Sequence, residues 1–304
     1  MNSLRKCIFV LFYTSKPVFL ILTVVCVFLG VAFALSSGFV LQLKHLSLVI
    51  IGAFAAHVAV NVFNEYFDFK SGLDSMTTKT KFSGGSGSLQ KFPEMVSLVF
   101  TFAILNLIVV LLVALYFFKV YGLIIFLPFI PGVLSIVFYS CFIIKRPFLC
   151  LFAPGIGFGF SMIWGIYIAL TGSLCPAIVF ISLLPFFLVN NLLLLNQFPD
   201  MEADSITGRK NLVILYGRRI SLQIYRLFMI CGVIVIIASS ILRYIPFISL
   251  TGVLPIIFAL AKVEMIKNCL EIRSNLISLL STNVFVVLSA PSIVGTGLLF
   301  SSFR

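Results

Sequence analysis

Long apolar runs, each close to the length of a bilayer crossing, alternate along this chain with short polar punctuation. A helix needs about 20 predominantly apolar residues to span the hydrocarbon of a membrane. On that criterion helices are predicted near 17–36, 46–67, 95–117, 121–143, 151–171, 176–196, 221–241, 246–265 and 277–300. The first run has a basic approach (Arg5, Lys6, Lys16) and a small-residue stretch at Ala32–Ala34, as a signal peptide would. Its apolar core is longer than the roughly 7–15 residues of a signal sequence, so it reads as a span. The pattern predicts an all-α integral membrane protein of about nine transmembrane helices, a single domain over residues 1–304.

Composition strengthens this reading. Hydrophobic residues make up 61% of the chain and charged residues 10%, against about half and a quarter in soluble domains. The net charge of +12 does not indicate nucleic acid as a partner here. Basic residues concentrate in the cytoplasmic loops of membrane proteins. With the N-terminus inside, only Lys44, Lys119, Arg243 and Arg304 of the 21 Lys and Arg fall outside. The seven cysteines are scattered, mostly within apolar spans, without metal-ligand spacing, and read as small apolar fillers.

The acids are the exception to the pattern. Six of the nine lie in two short stretches, NEYFDFKSGLD (64–74) and NQFPDMEAD (196–204). Both fall at the cytoplasmic end of a predicted helix. Asn61, Asn64, Glu65 and Asp68 are spaced to share one helical face, and so are Asn196, Asp200 and Asp204. His57 extends the first face inward, and Pro199 is placed to bend the second helix. Carboxylates gathered this closely repel unless cations sit among them. Asn and Asp oxygens suit Mg²⁺, which binds a few carboxylates and takes its other ligands from water and phosphate. Each acidic set is followed by a basic one, Lys79 and Lys81 after the first, Arg209 and Lys210 after the second. Acids for a metal and bases for phosphate oxygens together describe a diphosphate site. Asn190 and Asn191, deeper in the sixth span, read equally as interhelical hydrogen-bonding residues or as cavity lining.

The paired motifs Asn64-x₃-Asp68-x₅-Asp74 and Asn196-x₃-Asp200-x₃-Asp204 resemble the two Asp-rich motifs of the UbiA superfamily of intramembrane prenyltransferases. TGRKNLVILYGRR (207–219) and KTKFSGGSG (79–87) add to the likeness, which covers nearly the whole chain. Glu65 stands where many members have Asp, and FSGGSG where several carry an Arg-Pro type stretch.

The resemblance implies a central cavity open to the cytoplasmic face of a bacterial-type cell membrane. It also implies Mg²⁺-dependent transfer of a polyprenyl group from polyprenyl diphosphate to a small, aromatic acceptor. The branch it points to makes menaquinone precursors, with 1,4-dihydroxy-2-naphthoate as acceptor; 4-hydroxybenzoate, haem and glyceryl phosphate are the alternatives. By the same resemblance Asn64 and Asp68 hold one ion and Asp200 and Asp204 the other. Asp74 and Asn196 lie in or near the shell, Glu65 beside it, and Asp68 and Asp200 are the catalytic pair. Lys79, Lys81, Arg209 and Lys210 neutralise diphosphate oxygens. Lys145 and Arg146, in YSCFIIKRP (139–147), lie beside the same face as substrate contacts or as ordinary topology anchors.

A cation-coupled transporter is the competing class. It expects ionisable residues near mid-span and broken, inverted-repeat helices, whereas these acids gather at one membrane face. A CDP-alcohol phosphotransferase motif is absent from the sequence.

Overall fold

The computed structural model describes residues 3–73, 85–267 and 272–302. Those residues are helical almost throughout, with no strand among them. The helices are α1 (Ser3–Thr14), α2 (Ile21–Ser36), α3 (Leu43–Lys70), α4 (Val96–Tyr121) and α5 (Phe126–Phe138). They continue as α6 (Pro147–Thr171), then α7 (Ala177–Ile206), α8 (Leu212–Ile241), α9 (Val253–Ile266) and α10 (Arg273–Ser302).

Among the described residues, 7 helical stretches are long and apolar enough to cross a membrane. The longest, Pro93–Phe138, holds α4 and α5. These part at Gly122, whose φ of 73° and ψ of −151° are open to glycine and costly for other residues. α2 is apolar but only 16 residues long. Length and composition thus account for seven crossings, two of the predicted helices sharing one stretch and α2 falling short. Many large apolar side chains on these helices face outward, Leu112, Ile234 and Phe258 among them, as a lipid-facing surface requires.

Four local differences from the sequence pattern matter for the site. Residues 3–14 form a separate helix ahead of the first apolar run. Lys16, in the connection to α2, takes a left-handed φ of 51°, which a non-glycine residue adopts only when its surroundings hold it there. α7 runs as helix through Pro185 and Pro199 to Ile206, ten residues past the predicted end of its apolar run, and carries the whole second acidic motif. α8 begins early, at Leu212, and is interrupted at Gly217 (φ 74°, ψ 171°).

α3 packs on α4, α2 on α10, and α7 on α8. α6 and α7 come especially close. α6 contains a π-helical turn, Ile156–Met162, and small residues let α7 approach it. A Cβ on Gly159 would lie 2.6 Å from the backbone nitrogen of Phe186. The Gly155 backbone N–H donates to Asn190 Oδ1 at 2.5 Å, and Asn191 Nδ2 donates to the Tyr225 carbonyl at 2.9 Å. Both asparagines are fully buried and away from the cavity wall. Their role is to fasten α7 to α6 and α8.

Candidate active site

A cavity of about 770 Å³ runs between the helices. Most of its wall is apolar: Val49, Val113, Phe117 and Phe129 on one side, Ile166, Val189 and Val287 on the other. One end is polar. α3 brings Asn61, Asn64 and Asp68 to that end, and α7 brings Asn196, Gln197, Asp200 and Asp204. The i, i+3, i+4 spacing of each set puts its members on one face, and the helix pairing turns the two faces toward each other.

Arg209 joins them. Its guanidinium ion-pairs with Asp68 and, at 3.1 Å, with Asp204. Burial alone would lower the Arg209 pKa, but the two carboxylates outweigh it and raise it above the ordinary value. The side chain therefore stays charged and offsets the repulsion between carboxylates. Asn211 adds a second clamp. Its Nδ2 donates to Asp204 Oδ2 at 3.1 Å, while its Oδ1 caps α8 by accepting from the Ile214 backbone N–H at 2.9 Å.

Lys16 forms the other side of the polar end. Its Nζ donates to Asn64 Oδ1 at 3.1 Å and ion-pairs with Glu65 Oε1 at 3.0 Å. Glu65 is 1% exposed and also accepts from the Ser86 backbone N–H and hydroxyl. It turns away from the cavity, as a residue beside the ligand set would. Its place is structural: it ties the end of α3 to the residues preceding the Ser88–Lys91 turn and to the α1–α2 connection. Tyr139 also lines this end, and burial pushes its phenol well above the usual range, so the ring stays neutral.

The sequence-predicted residues divide clearly. Asn64, Asp68, Asn196, Asp200, Asp204 and Arg209 meet at one cavity. Lys145, Arg146 and Lys210 are exposed and outside its wall. They remain near its mouth, since the Lys210 backbone N–H donates to the Ile144 carbonyl at 3.3 Å. Asp74, Lys79 and Lys81 lie outside the described residues. Sequence reasoning missed Lys16, Tyr139 and Asn211. Lys16 reads along the chain as a topology anchor, and Asn211 as a loop residue; only the capping pattern of an Asn before the apolar run LVIL marks it.

The donors are all oxygens. Among the described residues no three acidic, His or Cys side chains converge as a metal cage. The amide oxygens of Asn64 and Asn196 complete the set, and Asn196 Oδ1 is buried with no hydrogen-bond partner. A buried acceptor without a donor is costly, and a hard cation would satisfy it. A few carboxylates with open positions for water and phosphate is the arrangement Mg²⁺ uses, and these residues fit it.

The sequence model of the UbiA prenyltransferase family matches residues 23–268. The chain belongs to the UbiA prenyltransferase family. This UbiA family protein is thus an integral membrane enzyme that transfers prenyl groups. No curated protein matches it by sequence. Solved structures are similar along nearly the full length. The apo structure of a UbiA homologue from Aeropyrum pernix K1 is 16% identical, with TM-score 0.68, over 91% of this chain and 97% of that one. A structure of digeranylgeranylglyceryl phosphate synthase is 18% identical, with TM-score 0.67, over 94% and 99%. A UbiA homologue from Archaeoglobus fulgidus bound to GPP and Mg²⁺ is 15% identical, with TM-score 0.65, over 94% and 99%. At these identities the likeness is one of fold.

Proposed function

We propose that this enzyme transfers a polyprenyl group from its diphosphate to an aromatic acceptor of quinone biosynthesis, of the 1,4-dihydroxy-2-naphthoate type, using Mg²⁺. One observation carries the reading. Asn64 and Asp68 on α3 and Asn196, Asp200 and Asp204 on α7 share the polar end of a cavity whose remaining wall is apolar. A diphosphate joined to a long hydrocarbon has that polarity. The homologue from Archaeoglobus fulgidus with GPP and Mg²⁺ bound supports the donor and the metal.

In this reading Asn64 and Asp68 hold one ion, and Asp200 and Asp204 the other, with Asn196 and Asp74 beside them. Bound magnesium supplies positive charge against the departing diphosphate oxygens. Arg209 adds a charge-assisted donor to the same oxygens, joined from the loop after α3 by Lys79 and Lys81, while Lys145, Arg146 and Lys210 add positive charge near the cavity mouth. The apolar wall keeps water from the allylic carbon as its C–O bond breaks, and a ring carbon of the acceptor takes that bond's place, losing a proton afterwards. Each buried CH₂ of the tail contributes about 0.8 kcal/mol, so the donor partitions to the membrane. The basic residues of the loops support a site on the cytoplasmic face, and the break at Gly122 together with α2 supports nine crossings.

The test is direct. Purified enzyme with Mg²⁺ and a polyprenyl diphosphate is given 1,4-dihydroxy-2-naphthoate, 4-hydroxybenzoate, haem and glyceryl phosphate in separate reactions. Prenylation of the naphthoate in preference to the others is the expected result; turnover of another acceptor alone replaces the reading.

A further inference from the structure

The polar end absorbs every charged residue of the cavity: Lys16, Asp68, Asp200, Asp204 and Arg209. Of the other polar side chains in the wall, Ser135 already donates its hydroxyl to the Pro131 carbonyl at 2.8 Å, and two stand deep in the apolar part with no role in holding diphosphate. They are His57 and Ser161.

His57 shares the face of α3 that carries Asn61, Asn64 and Asp68. It lies seven residues inward of Asn64, which is about 10 Å along the helix axis. Its Nδ1 is 2.7 Å from Thr23 Oγ1 on α2. Thr23 is fully buried and does not line the cavity, so it fixes the ring from behind. The His57 ring lines the cavity with its other nitrogen on the remaining edge. The ring of Phe158 meets it edge to face, with centroids 4.7 Å apart. Three residues on, in the same π-helical turn, stands Ser161. Ser161 also lines the cavity, and its Oγ is buried with no hydrogen-bond partner. Across from it α5 carries Gly132, where a Cβ would crowd Ser161 Cβ at 3.2 Å. π-helical turns are uncommon and gather at functional sites.

A hydrocarbon tail needs neither group. An unpartnered hydroxyl buried in an apolar wall is costly until something hydrogen-bonds to it, and the His57 ring lines the same cavity. A carboxylate or phosphate does not suit the place, because the cation whose charge reaches His57, Lys16, is already held by Glu65 and Asn64. A neutral hydroxyl on a flat ring does. We propose that His57 and Ser161, with Thr23 as the residue positioning His57, form the subsite that receives a phenolic hydroxyl of the acceptor. The inference rests on the proposed aromatic acceptor and names how that acceptor is read. It also sets the ring beside the allylic end of the donor, between the metal-binding face and the apolar tunnel.

The experiment measures acceptor binding apart from turnover. 1,4-Dihydroxy-2-naphthoate is titrated calorimetrically into the full chain loaded with Mg²⁺ and a non-ionising thiolodiphosphate analogue of the donor. The same is done for Ser161→Ala, His57→Phe, Thr23→Val and Thr23→Ser. Ser161→Ala and His57→Phe are expected to raise the acceptor Kd tenfold or more, and Thr23→Val about threefold, while Thr23→Ser stays near wild type. Donor-analogue affinity, measured in parallel, should hold within twofold in every variant and so report an intact fold and metal site. Acceptor Kd values within twofold of wild type for both Ser161→Ala and His57→Phe overturn the subsite. So does an equal loss of donor affinity, which would assign these residues to the prenyl tail, and so does failure of the wild type to bind the naphthoate. Tight binding that depends on His57 and Ser161 without any transfer would leave the subsite standing and overturn the proposed reaction instead.

Discussion

Asp68 and Asp204, on different helices and far apart in the chain, are bound to one guanidinium, that of Arg209. That single side chain couples the two acidic motifs before any substrate arrives. Arg209→Ala should lower kcat/KM for the prenyl diphosphate by about 10²-fold, through loss of a charge-assisted donor on the leaving group. Arg209→Lys should recover little of it, because an ammonium cannot present two donors in a fixed fork. Steady-state kinetics with the donor varied distinguish these outcomes; a fully active Arg209→Lys enzyme would mean that charge alone suffices.

Removing a proposed metal-holding oxygen charge should act on turnover more than on folding. Asp68→Asn and Asp200→Asn are expected to reduce kcat by about 10²-fold or more if their carboxylates act at the transition state. Near-normal transfer by both would dissolve the site assignment.

Chelation provides an independent check. EDTA should abolish transfer, and excess Mg²⁺ should restore it, with the thermal midpoint of the protein little changed by either. Full activity in chelator contradicts the cation reading of the oxygen cluster.

The Lys16–Glu65 pair predicts a stability effect. Lys16→Ala leaves a carboxylate that is 1% exposed without its cation. Breaking a buried pair from one side costs about 3 kcal/mol, so the thermal midpoint in detergent should fall clearly. Glu65→Gln in the same background should recover part of the loss, since the amide oxygen still accepts from Ser86. If the double variant is as unstable as Lys16→Ala, the ion pair is not the cause.

Gly159 tests the α6–α7 contact. Its added Cβ would meet backbone atoms of Phe186 at 2.6–2.7 Å, and backbone cannot step aside as a flexible side chain can. Gly159→Ala should destabilise by about 1–3 kcal/mol or more, read as a lower unfolding temperature or poor recovery of folded protein. Gly157→Ala, where nothing lies within 4 Å, is the matched control and should behave like wild type.

Much of this was legible in one dimension. Runs of apolar residues near membrane thickness mark helices because backbone groups in lipid must be satisfied internally. Acidic residues at helical spacing mark a site because such residues are costly at a membrane edge without a partner. Helix ends were less legible. The predicted sixth span stopped at 196 because polar residues end the apolar run there, yet α7 continues to Ile206. Its last turns are held by Arg209 and Asn211 and not by lipid. Asn190 and Asn191 were ambiguous for the same reason: a polar residue in a span satisfies itself on a neighbouring helix, and sequence does not say which.

Taken alone, the sequence determined the helical class, the membrane, the family resemblance and the two oxygen-rich faces, because each depends on spacing along a single helix. The tertiary structure decided which faces meet. It put Arg209 between the motifs and left Lys145, Arg146 and Lys210 outside the cavity wall. It converted Lys16 from an anchor to a neighbour of Asn64, and it buried Glu65. It also set His57 and Ser161 in a common wall. Such relations depend on how helices distant in sequence pack against one another, on the glycines that let α6 and α7 touch, and on the turns that aim each loop. None of these leaves a periodic trace in the chain.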